Sequence, residues 1–127
     1  MPHLTLRAPE AQLAGREAAL IAALTDAVVQ VYGQWARDLV VVCLDGVPSA
    51  RWGIGGKSVE DSAPAITLGI RETALTRPGG NEVAERLIAG LTDAAASVLG
   101  EKVRAGTSVE LVATIQGRSG IGGIIAR

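Results

Sequence analysis

The sequence predicts an α+β two-layer sandwich: two tandem βαβ units whose four strands form one mixed sheet, with two helices on one face. Three observations carry this. Residues 20–33, LIAALTDAVVQVYG, recur at 87–100 as LIAGLTDAAASVLG, an offset of 67. The same offset carries Gly53-Ile54-Gly55-Gly56 onto Gly120-Ile121-Gly122-Gly123. Upstream, PHLTL at 2–6 matches PAITL at 64–68, an offset of 62. Self-similarity of this kind is the mark of a duplicated structural unit. We therefore expect a single domain over residues 1–127, built from repeats over about 2–57 and 64–124.

Each unit reads strand, helix, strand. Leu4 and Leu6 alternate with Thr5 and Arg7, the period of a half-buried strand, and Ile66, Leu68 and Ile70 alternate in the same way. Leu20, Leu24, Val28 and Val31 recur at spacings of four and three, and Leu87, Leu91, Ala95 and Val98 repeat the stripe. Gly33 and Gly100 fall where each helix would end on a left-handed cap. Leu39 to Leu44 is a continuous apolar run that reads as a central strand, and Val109, Leu111, Ala113 and Ile115 form its alternating counterpart. The five extra residues of the second unit fall in a loop between Arg71 and Asn81. Parallel strand–helix–strand crossovers are right-handed, so both helices land on one side of the sheet.

Composition narrows the partners. The net charge is −1 with no basic patch, which argues against nucleic acid and anionic membranes. No apolar run approaches the ~20 residues of a membrane span. The N-terminus shows neither a cationic lead nor a long apolar stretch, and Cys43 is the one cysteine; together they predict a cytoplasmic protein. One histidine and one cysteine give no basis for a metal site. Only Tyr32, Trp35 and Trp52 are aromatic, and small aliphatic side chains bury little area each. Some apolar surface is thus expected to be covered by further copies of the chain. Gly56-Lys57-Ser58 resembles the end of a phosphate-binding loop, but Arg51 stands where that motif needs glycine, and a strand follows rather than a helix.

Pro2 stands behind only Met1. It suits the start of a strand, where a missing N–H costs little. If Met1 is removed, it is also a secondary amine, unlike any other terminus. Pro2, the TDA-bearing helix, an apolar strand and the hairpin GIGG behind Trp52 together resemble the tautomerase superfamily. The double length resembles its fused members, related to cis-3-chloroacrylic acid dehalogenase, and the likeness spans almost the whole chain.

That resemblance implies a cofactor-independent keto–enol tautomerase acting on a small 2-oxo acid or related unsaturated acid. Pro2 would be the general base. An α-amino group starts near pKa ~8, and apolar burial with a nearby cation lowers it toward neutrality. Arg71, in the segment GIRE, would bind the substrate carboxylate, for which a planar guanidinium is suited. Trp52 would form an apolar wall near Pro2. Fused relatives carry a second arginine where this chain has Ala74, which leaves Arg77 as the nearest candidate. Val28 stands in the place of the dehalogenases' helix histidine, and Ala113 or Thr114 in that of their water-activating acid. Asp38 is a rough match for the carboxylate of decarboxylating relatives, and Val41 and Ser108 replace the second-strand arginine of 4-oxalocrotonate tautomerase. Tyr32 and Trp35 fit a pocket mouth or core packing equally. The implied assembly is a homotrimer, with the tail from Gly120 to Arg127 pairing with a neighbour's sheet edge. The alternative is a trimer of the same fold with little or no catalysis, acting as a binding or structural protein. Either way Pro64, the repeat of Pro2, has a tertiary amide nitrogen, so one active site per chain is expected.

Overall fold

A computed structural model describes residues 2–126. The chain forms β1 (His3–Pro9), the short α1 (Glu10–Leu13), α2 (Glu17–Tyr32), a 3-10 segment (Gln34–Leu39), β2 (Val41–Val47) and a hairpin of β3 (Gly53–Ile54) and β4 (Lys57–Ser58). The same order follows as β5 (Ala65–Arg71), α3 (Glu72–Thr76), α4 (Gly80–Leu99), a 3-10 segment (Glu101–Gly106), β6 (Ser108–Thr114), β7 (Gly120–Ile121) and β8 (Ile124–Ile125). The sheet order is β2-β1-β5-β6. Each unit contributes a parallel pair, and the units meet antiparallel at β1 and β5, with Leu4 opposite Leu68 and Leu6 opposite Ile66.

The alternation sorts the two faces. Leu4, Leu6, Ile66 and Leu68 point inward with Leu20, Leu24, Leu87 and Leu91 from the two long helices, and together they form the closed core. Burying a leucine fully contributes roughly 1.5–3 kcal/mol, so these paired stripes are what hold the helices on the sheet. Thr67, Arg7, Cys43 and Glu110 lie on the opposite face, exposed in a single chain. No described helix is long and apolar enough to cross a membrane.

Three details depart from the sequence reading. The apolar run at 39–44 is not a central strand: Leu39 and Val40 finish the 3-10 turn, and β2 is a sheet edge paired only with β1. Val41 and Leu39 are accordingly 39% and 38% exposed. The five extra residues are not loop. One lengthens α3 relative to α1, and four add a first turn to α4 relative to α2. Gly33 and Gly100 end their helices at φ 110°, ψ 165° and φ 111°, ψ 149°, an extended conformation at positive φ rather than the left-handed helical cap. That region is essentially restricted to glycine.

Candidate active site

The N-terminus is pinned to the end of the sheet. The Val41 N–H donates to the Pro2 carbonyl at 3.1 Å, so Pro2 lies where β2 begins. On the other side His3 pairs with Gly69, which sets Pro2 against the last turn of β5 at Ile70 and Arg71. The chain then turns into α3, which brings Thr73, Ala74 and Arg77 around the same space. From the far side α2 ends at Tyr32, and the 3-10 segment adds Trp35 and Leu39. These nine residues line a cavity of about 370 Å³. No carboxylate is among them.

The aromatic part of the wall is ordered by local chemistry. The Trp35 Nε1–H donates to the Tyr32 carbonyl at 2.7 Å, and the two rings meet edge to face at 6.5 Å and 79°. Trp35 itself is 70% exposed, so it forms the rim rather than the floor. Burial pushes the Tyr32 phenol above its usual pKa, and the positive charge of Arg77 partly opposes this. Other arginines serve structural pairs: Arg37 with Asp26, Arg104 with Asp93 and Glu101, and Arg7 with Asp45. Arg71 borders both the Pro2 cavity and a cleft of about 560 Å³ shared by His3, Gly69 and the β7–β8 hairpin.

Of the residues singled out in the sequence, Pro2, Arg71 and Arg77 come together in one cavity. Trp52 does not line it within one chain; it sits half-buried at the foot of the β3–β4 hairpin, where its carbonyl accepts from the Val59 N–H at 2.8 Å. Met1 and Arg127 lie outside the described residues. Tyr32 and Trp35, which fitted core or pocket equally in the sequence, both line the cavity. Thr73 and Ile70 were not foreseen. Thr73 belongs to a helix too short to leave a periodic signal, and Ile70 is indistinguishable in sequence from a core strand residue. Asp38 is exposed and not among the lining residues. The repeat of Pro2 has a different fate: the Pro64 carbonyl accepts from the Ser108 N–H at 3.2 Å, but Pro64 is fully buried.

Residues 2–62 match the model of a family described as "Tautomerase enzyme". A solved structure of native fused 4-OT is 31% identical, with a TM-score of 0.83 over 97% of this chain and 94% of that one. The F6 fused 4-OT wild type, an asymmetric trimer, is 27% identical, with a TM-score of 0.82 and the same coverage. N1, a member of the cis-3-chloroacrylic acid dehalogenase family, shares the fold at 16% identity and a TM-score of 0.73, over 98% of this chain and 83% of that one. No curated protein matches the chain.

Proposed function

The chain belongs to the tautomerase superfamily, and from that premise we propose that Pro2, once freed of Met1, is the general base of a keto–enol tautomerase acting on a small 2-oxo acid or related unsaturated acid. The observation that carries this reading is the convergence of Pro2, Arg71 and Arg77 on one cavity, with no carboxylate among the described residues that line it. The substrate's carboxylate pairs with Arg71, with Arg77 as a second cation, and guanidinium forks suit that contact. The acidic C–H then faces the prolyl nitrogen. Two neighbouring cations and apolar walls disfavour a second positive charge on that nitrogen, which keeps it available as a base.

In the reaction the lone pair of Pro2 takes the proton from C3. The C–H electron pair becomes the C2–C3 double bond, and the carbonyl pair moves to oxygen. The enolate is protonated from solvent, and Pro2 returns its proton to solvent. No redox step occurs, so the reaction needs no redox cofactor. One site forms per chain, because Pro64 has no basic nitrogen. We further propose a cytoplasmic homotrimer, a reading supported by the fused 4-OT trimers the chain resembles. In it Trp52, outside its own chain's cavity, forms an apolar wall of a neighbouring copy's site.

The test combines intact mass with kinetics. Protein lacking Met1 should ketonise or enolise phenylpyruvate, and Pro2→Ala should lower kcat by about 10²–10⁴-fold, the usual worth of a positioned general base. Wild-type turnover in Pro2→Ala would remove the proline from the mechanism.

A further inference from the structure

Building on the reading of Pro2 as base, we propose that Tyr32 is a second catalytic residue, whose phenolic O–H donates a hydrogen bond to the substrate oxygen on which charge develops as Pro2 removes the proton.

The duplication supplies the internal comparison. Positions equivalent to the Pro2 cavity exist around Pro64, and there the chain itself fills the space. Gln12, which is 62 residues before Ala74, donates from Nε2 to the Asp61 carboxylate and the Ser62 carbonyl, both at 2.6 Å. Lys102, which is 67 residues after Trp35, pairs with Asp61 at 3.7 Å. Gly106, which is 67 residues after Leu39, packs so closely that a Cβ there would fall 2.8 Å from the Ala63 Cβ. Three wall positions thus grip the three residues that precede Pro64. At Pro2 the equivalent wall positions Ala74, Trp35 and Leu39 instead line the cavity of about 370 Å³ among the described residues.

The wall changes with the filling. The repeat of Tyr32 is Leu99, 4% exposed and part of the core. Its apolar side chain faces no ligand and offers no donor. Only the unit with the open cavity carries a phenol, and only there is it buttressed by a tryptophan. Among the described residues the Tyr32 hydroxyl has no hydrogen-bond partner, so its donor is not committed to the fold. Tyr32 lines the same cavity as Pro2 and the two arginines. Burial also favours the protonated phenol, the form that can donate, and keeps it so beyond the usual value near ~10.

The electron bookkeeping fits a donor at this place. When the C3–H pair moves into the C2–C3 bond, the carbonyl pair localises on oxygen. A neutral O–H pointed at that oxygen is held more strongly in the transition state than in the keto ground state, which is the condition for raising kcat. The arginines hold the carboxylate one carbon away. Tyr32 keeps its proton throughout, and the enol proton comes from solvent.

Tyr32→Phe removes the hydroxyl and keeps the ring against Trp35, so the fold and its melting temperature should be unchanged. We expect kcat to fall about 10²-fold, the usual loss for one such donor, with KM within threefold of wild type. Tyr32 is the one tyrosine of the chain, so its ionisation is read directly in the ultraviolet. The alkaline limb of wild-type kcat should coincide with that titration and be missing in Tyr32→Phe. A limb displaced from the titration overturns the assignment. So does a folded Tyr32→Phe enzyme with kcat within twofold of wild type while Pro2→Ala is impaired; that result leaves the proline reading intact. Wild-type turnover in both variants overturns the two together.

Discussion

Alanine at Gly33 and at Gly100 separates the backbone strain of the fold from the placement of the aromatic wall. The two glycines occupy equivalent helix ends and nearly equal conformations, φ 110° and φ 111°. A side chain in that region costs about 1–3 kcal/mol at either site. Their surroundings differ. A Cβ on Gly33 would lie 3.1 Å from Trp35 Cδ1 and 3.2 Å from Nε1, whereas a Cβ on Gly100 has nothing within 4 Å. Both variants should therefore melt lower, by roughly 4–12 °C at about 4 °C per kcal/mol for a chain of this size. Only Gly33→Ala should also push Trp35 aside and weaken its 2.7 Å bond to the Tyr32 carbonyl. A misplacement of about 1 Å can cost about 10²-fold, and the smaller shift needed here is expected to cost about 10-fold or less in kcat/KM. The assay is a pair of thermal melts at one fixed protein concentration, with oxo-acid turnover measured well below both transitions. Gly100→Ala melting with wild type would refute the strain argument. Equal turnover in the two variants would refute the claim that Gly33 sets the wall.

Arg71→Ala should raise KM for an oxo acid about 10- to 100-fold, as expected for losing a charged hydrogen bond, with a smaller fall in kcat; steady-state kinetics check this, and an unchanged KM moves the carboxylate to Arg77. Pro64→Ala should leave kcat within twofold and lower stability by about 1–2 kcal/mol through a freer unfolded chain and lost packing; inactivity in a folded Pro64→Ala protein would refute one site per chain. Light scattering should give three times the 13.0 kDa chain mass, and a stable monomer at micromolar concentration would refute the trimer.

What the sequence disclosed follows from how each feature is encoded. The two units, their shared helices and the buried faces of β1 and β5 all rest on local periodicity, and Leu4, Leu6, Ile66 and Leu68 appear in the core as their alternation requires. Edge or centre is not a local property. The run at 39–44 is apolar enough for a buried strand, but β2 has one neighbour in the chain, and the hydrophobicity of Val41 speaks of a surface that a second copy can cover. The short α3 left no period to detect, so Thr73 was hidden although Arg71 and Arg77 on either side were not. Trp52 is the opposite case. Its family motif is legible in sequence, but Trp52 is not among the residues that line its own chain's cavity, and a local motif does not say which surface it will meet.

The duplication also lets the two halves be compared around their first prolines. The second unit begins mid-chain, and the space ahead of its first strand is filled by the linker. Asp61 to Ala63 occupy it around Pro64, held by Gln12, Lys102 and the side-chain-free Gly106. The corresponding positions of the second unit serve the fold: Leu99 is in the core and Lys102 pairs with the linker. In the first unit the equivalent positions, Tyr32 and Trp35, line the Pro2 cavity. Fusion thus leaves a physical signature that other tandem proteins can be searched for. The unit with the terminal strand should show the residues that touch substrate, and the internal unit should show those same positions turned toward its own linker.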